Sequence, residues 1–115
     1  MAGVAYGFDP SKKPKKREFK IEDYLKDQVE KIGGKCYKFV SPGYDGMPDR
    51  IAVYMGHVIF IETKRPGKKP RKLQEIRLRE LNMQGMNTAV VSTKEEADKV
   101  VACLALKGMC HVEYR

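Results

Sequence analysis

Residues Arg50 to Lys64 read RIAVYMGHVIFIETK, two runs rich in β-branched and aromatic residues separated by Met55 and Gly56 alone. So short a connection demands an antiparallel hairpin. With Met55 and Gly56 as the turn, Tyr54 faces His57, Val53 faces Val58, Ile51 faces Phe60, and Asp49 faces Glu62. Met-Gly is not a favoured turn dipeptide, and a turn centred on Gly56 and His57 would set Glu62 opposite Ile51 instead. The sequence leaves that choice of register open.

The remaining elements arrange themselves around this hairpin. Ile21, Leu25, Val29 and Ile32 recur at helical spacing until Gly33 and Gly34, so a first helix is expected there. Lys35 to Ser41 (KCYKFVS) has strand composition, and Pro42, Gly43 and Gly46 mark a loop. A basic loop, Arg65 to Arg71, leads to an amphipathic helix on Leu73, Ile76, Arg77, Glu80 and Leu81 that closes near Gly85. Thr88 to Ser92 is a short apolar strand. Thr93 and Glu96 then form a capping-box pattern for a helix that turns Ala97, Val100, Val101 and Leu104 to the core and stops at Gly108. Met109 to Tyr114 could add an edge strand. The order α-β-β-β-α-β-α predicts an α/β fold, a mixed central sheet flanked by helices.

The chain has 115 residues, enough for one domain with a core that needs no staple. Residues 21–115 are read as that single domain, and residues 1–20, with six Lys or Arg, two prolines and little to bury, as a flexible basic arm. The arm would grip phosphates or serve as a localisation patch, or would simply be a solvated tail. Lys and Arg total 23 against 15 Asp and Glu, a formal charge of +8, which favours a polyanionic partner, nucleic acid first. No apolar run approaches the roughly 18 to 20 residues of a membrane span, and Met1 to Asp9 lacks the pattern of a signal peptide, so a soluble, intracellular protein is expected. Cys36, Cys103 and Cys110 show no zinc-ligand spacing and read as reduced packing residues.

The predicted hairpin carries a chemically suggestive group. Residues directly opposed across antiparallel strands have Cβ atoms about 4.5 to 5.5 Å apart, so paired Asp49 and Glu62 could share one hard cation. Lys64, two residues beyond Glu62, points to the same face. Phosphodiester hydrolysis requires an activated water, a neutralised phosphate oxygen and a stabilised leaving oxyanion, which two carboxylates with Mg²⁺ or Mn²⁺ and a lysine can supply. Each residue also has an ordinary explanation: Asp49 as a turn cap after Pro48, and Glu62 and Lys64 as an ion pair on a solvated strand. Their convergence on one edge of apolar strands, beside a basic loop, favours the catalytic reading.

From Ile21 to about Val101 the sequence resembles the VRR-NUC (virus-type replication-repair nuclease) branch of the PD-(D/E)xK nucleases. The resemblance rests on Glu22, on KFVSP (Lys38 to Pro42), on GMPDR (Gly46 to Arg50), on FIETK (Phe60 to Lys64), on the KKP segment with Gln74, and on TAVVS. It implies a restriction-endonuclease-like core. It further implies Asp49 and Glu62 as metal ligands, the Thr63 carbonyl as a backbone ligand, Lys64 as the catalytic lysine and Glu22 as a helix-borne acid completing the site. Gln74 would support the metal site or DNA. Without the resemblance, Glu22 is a first-turn acid favoured by the helix dipole, and Gln74 a solvated helix residue with Leu73 on the core stripe.

Lys68, Lys69, Arg71 and Lys72 follow the predicted catalytic strand on a Pro/Gly loop and are candidate phosphate contacts, and Tyr44 could stack on a base. His57 and His111 have no partner at useful spacing and read as turn and surface residues. A rival reading is a binding module, since Gly43 to Gly46 (GYDG) matches the G-x-x-G of KH domains; that loop, however, joins two predicted strands and carries Asp45. A domain kept only for protein interaction is the third reading. No base-reading helix is evident, so shape recognition is expected. Stand-alone members of the resembled family are associated with branched DNA and homodimers, which implies four-way (Holliday) junctions as substrate, in a phage or bacterial setting of DNA repair. A monomeric flap or structure-tolerant nuclease is the alternative.

Overall fold

The computed structural model describes residues 20–106. The elements are α1 (Ile21–Lys31), β1 (Lys35–Lys38), β2 (Arg50–Tyr54), β3 (His57–Thr63), α2 (Lys72–Met83), β4 (Asn87–Val91) and α3 (Lys94–Ala105), in the order expected. The basic arm apart from Lys20, the Gly108 stop, the tail strand, Cys110 and His111 lie outside the described residues.

The hairpin sets the frame of the sheet. Met55 and Gly56 both take positive φ, 49° and 87°, as a two-residue type I′ turn requires. Tyr54 therefore pairs with His57, Ile51 with Phe60 and Arg50 with Ile61, which settles the register that the turn sequence left open. β1 pairs antiparallel with β2, and β4 pairs parallel with β3, giving a mixed sheet in the order β1-β2-β3-β4. A parallel neighbour needs a crossover, and α2 supplies it. β1 is shorter than its sequence suggests. It ends at Lys38, although the Phe39 amide still donates to the Asp49 carbonyl at 2.8 Å, because the chain then enters the Pro42-Gly43 turn. Likewise β3 ends at Thr63, yet the Lys64 amide continues the pairing to β4 by donating to the Val91 carbonyl at 2.9 Å.

Strand alternation sorts the two faces. Ala52, Ile59, Ile61, Ala89 and Val91 form one core with Leu25 and Val29 of α1 and with Ala97, Val100, Cys103 and Leu104 of α3. Gly33, at φ 92°, ends α1 as the sequence predicted, with the Gly33 and Gly34 amides donating to Glu30 and Val29 carbonyls. The α3 capping box forms as expected: the Glu96 amide donates to Thr93 Oγ1, and the Thr93 amide donates to Glu96 Oε1, both at 3.1 Å. Glu62 and Thr88, out of phase with those core residues, face the other side, where Gln74 and Asn82 of α2 bond to them.

Two expectations are overturned. Leu73 is 37% exposed while Gln74 is 7% exposed, so α2 turns an amide rather than a leucine inward at its first turn. The reason is its seat: the sheet presents the buried Glu62 carboxylate there, which needs a donor, while Leu73 packs sideways on Gly46. Cys103 is disulfide-bonded rather than reduced, and Cys36 is the free cysteine among the described residues. The absence of metal-ligand spacing in the sequence argued against zinc, not against a disulfide.

Candidate active site

Asp49 stands where β2 begins. Its backbone carbonyl stays in the ladder with β1, while its side chain turns to β3, whose Thr63 amide donates to Oδ1 at 3.0 Å and whose Thr63 hydroxyl donates to Oδ2 at 2.7 Å. Amides along a strand alternate between its two neighbours. The Lys64 amide serves β4, so the Thr63 amide points to β2, where the chain bends at Asp49 and the carboxylate takes the place of a backbone acceptor. A carboxylate has about four lone-pair sites, so each Asp49 oxygen keeps room for another partner.

Glu62 is the buried acid of the site, 4% exposed. Oε2 receives the Lys64 ammonium at 3.1 Å and the Gln74 amide at 2.9 Å. Oε1 is buried with no hydrogen-bond partner among the described residues, a condition it shares with Arg50 Nε. Burial pushes the Glu62 carboxyl above its ordinary value and the nearby Asp49 carboxylate adds to the rise, while Lys64 opposes both. Gln74 is fixed at its other end, where Oε1 accepts from the Arg71 amide at 2.8 Å and so helps to start α2.

Glu22 reaches the same region from the first turn of α1 and pairs with Arg50 at 3.3 Å. A cavity of about 460 Å³ lies between these elements, lined by Lys20, Ile21, Glu22, Asp49, Thr63, Lys64, Arg65 and Pro66. Glu62 does not line it and meets it through Lys64. Of the residues expected to form the site, Glu22, Asp49, Thr63 and Lys64 thus share one cavity, with Glu62 and Gln74 joined to it by hydrogen bonds and an ion pair. All the candidate cation ligands are oxygen atoms, the donor type preferred by Mg²⁺ and Mn²⁺. Although no cluster of three His, Cys, Asp or Glu residues among the described residues already has cation-binding geometry, a buried carboxylate oxygen without a donor is a group that a cation would satisfy.

No family model matches the chain. Over 59 residues it is 54% identical to the "Putative nuclease p44" of Acyrthosiphon pisum secondary endosymbiont phage 1, a match covering 50% of this chain and 63% of that protein. The chain therefore spans less than two thirds of that relative's length. A solved structure described as a VRR_NUC domain superposes with a TM-score of 0.67 at 27% identity, covering 71% of this chain and 90% of that one. The chain has the fold of a VRR-NUC domain.

Within this VRR-NUC fold the outlying candidates fall apart from the cavity. Lys68, Lys69, Arg71 and Lys72 are exposed and none of them lines it. Tyr44 is 61% exposed, with the Arg77 guanidinium 5.0 Å from its ring centre and the Arg77 Nε bonded to the Asp45 carbonyl at 2.9 Å. The G-x-x-G segment lies between β1 and β2, which is not the helix-to-helix connection of a KH domain. His57 lies in the hairpin, opposite Tyr54. Sequence reasoning missed Arg50, Lys20, the Thr63 side chain and Arg65 as site-forming groups. Arg50 was legible in one respect: it is in phase with Ala52 on the core face, where a charged residue needs a partner.

Proposed function

We propose that this chain is a member of the VRR-NUC family and a divalent-metal-dependent DNA endonuclease that hydrolyses phosphodiester bonds in branched DNA such as four-way junctions, working as a homodimer. The observation that carries the catalytic part is Glu62: a buried carboxylate holding Lys64 and Gln74 on one oxygen, with the other oxygen buried and unpartnered beside Asp49. Asp49, Glu62, Glu22 and the Thr63 carbonyl would hold Mg²⁺ or Mn²⁺. When bound, such an ion lowers the pKa of water and polarises a phosphoryl oxygen.

The chain's own residues have separable tasks in this reading. Gln74 fixes the Glu62 carboxylate, which holds the Lys64 ammonium at the cavity, where it neutralises charge developing on the phosphate. Thr63 fixes both Asp49 oxygens, so that carboxylate is oriented in advance. Arg50 tethers Glu22. Lys68, Lys69, Arg71 and Lys72 would contact more distant phosphates, and Tyr44 an unstacked base. The nuclease name of the phage relative supports the activity. One domain of this size contacts few base pairs, which favours reading shape over sequence, and two symmetric copies suit paired incisions at a junction.

The test is cleavage of end-labelled four-way junction, flap, duplex and single-stranded DNA with Mg²⁺, Mn²⁺ or EDTA. Paired metal-dependent cuts near the junction centre are expected. Cuts on the flap alone by a monomer would replace the junction reading, and binding without cleavage under every metal condition would replace the enzyme with a binding module.

A further inference from the structure

The cavity wall carries five charged side chains whose pairing is uneven. Glu22 is paired with Arg50 and Lys64 with Glu62, while Asp49 is satisfied by neutral donors from Thr63. Lys20 and Arg65 have no ion pair among the described residues, although both line the cavity. Unpaired cations on a concave wall concentrate positive potential there.

Their backbones are pinned, while among the described residues no hydrogen bond or ion pair holds their side chains. The Lys20 carbonyl accepts from the Asp23 and Tyr24 amides at 3.1 and 3.3 Å where α1 starts. Arg65 is the first corner of a turn closed by the Lys68 amide donating to its carbonyl at 3.0 Å, with Pro66 second and Gly67 third at φ 83°, the pattern of a type II turn. That turn puts a guanidinium, whose fork matches two oxygens of one phosphate, on the lining of the same cavity as the Lys20 ammonium. We infer that Lys20 and Arg65 form a phosphate clamp that seats a backbone phosphate of the nucleic-acid strand in the cavity, beside Asp49 and Lys64. The identity of the strand as the one being cut rests on the nuclease reading above; the clamp itself does not. Without a clamp, Lys20 and Arg65 would be two more surface cations acting at long range on a protein of charge +8.

Binding of a fluorescent single-stranded oligonucleotide, measured in EDTA across a range of NaCl, separates the two. Lys99, exposed on α3 and absent from the cavity wall, is the control of equal charge change. Lys20→Ala and Arg65→Ala are each expected to weaken binding about tenfold at low salt and to lower the slope of log affinity against log salt by about 0.7, one phosphate contact on a single strand. Arg65→Lys should keep the slope and lose several-fold in affinity, because the charge remains and the fork does not. Lys99→Ala should leave the slope unchanged. Equal effects from Lys99→Ala and Arg65→Ala, or no binding by the unmodified chain, would overturn the clamp. EDTA withholds the metal, so a chain that clamps DNA in this assay but never cuts it with Mg²⁺ would retain the clamp and lose the nuclease reading.

Discussion

Replacing Gln74 with Met tests whether a single buried amide joins α2 to the sheet. Met is close to Gln in length and volume, so the substitution deletes both polar contacts while leaving little cavity. One contact is the 2.9 Å donation to Glu62 Oε2, a hydrogen bond to a buried charge worth about 1.5 to 3 kcal/mol. The other is the 2.8 Å acceptance from the Arg71 amide, a capping interaction worth about 0.5 to 1 kcal/mol because Arg71 is exposed and water replaces part of it. Glu62 keeps Lys64 on the same oxygen, so the carboxylate is weakened rather than abandoned. The expected loss is about 2 to 4 kcal/mol, or roughly 8 to 16 °C in Tm for a domain near this size. Circular dichroism melts and urea titration of Gln74→Met measure it. A loss below about 0.5 kcal/mol would refute the reasoning, since bonds to a buried charge cannot be deleted so cheaply.

Two further predictions follow from local geometry. Gly46 and Gly43 both sit at φ 85°, but a Cβ on Gly46 would meet Leu73 Cγ at 2.8 Å and the Leu73 backbone at 3.1 Å, whereas a Cβ on Gly43 would meet nothing within 4 Å among the described residues beyond its chain neighbours. Gly43→Ala should cost about 1 kcal/mol of backbone strain and Gly46→Ala about 2 to 4, compared by urea midpoints; equal costs would show that the loop does not pack on α2. At the α3 cap, burial acts to raise the Glu96 carboxyl, but hydrogen bonds from Ser92 and Thr93 together outweigh it and hold the group below its ordinary value. A carboxyl lowered on folding contributes stability that is present above the unfolded-state value and lost as pH falls through the folded one. Stability measured from neutral to acid pH should therefore fall less steeply in Glu96→Gln than in the unmodified chain, and identical acid limbs would contradict the cap.

The sequence disclosed the elements that depend on local pattern. The β2-β3 connection was short enough to demand a hairpin, and α1, α3 and its Thr93-Glu96 cap followed from periodicity and capping chemistry. The register was legible only as one of two choices, because Met55 must take φ 49° and nothing in a methionine announces that. The face of α2 was misread for a related reason: hydrophobic periodicity assumes an apolar seat, and this seat is a buried glutamate. Asp49, Glu62 and Lys64 stood out as chemistry on an apolar hairpin. Arg50, Thr63, Lys20 and Arg65 did not, since their places depend on which side chains meet at the cavity, and that is set by tertiary packing of α1 against the strand ends.

The central claim is that Asp49, Glu62 and Lys64 act together on a phosphodiester with a divalent cation. Single-turnover cleavage of labelled branched DNA in Mg²⁺, by the unmodified chain and by Asp49→Asn, Glu62→Gln and Lys64→Met with their folding verified, tests it most directly. Each substitution is predicted to slow cleavage by about 10² or more, with EDTA abolishing it in the unmodified chain. Cleavage that persists in EDTA, or that survives within a few-fold in all three variants, would contradict it.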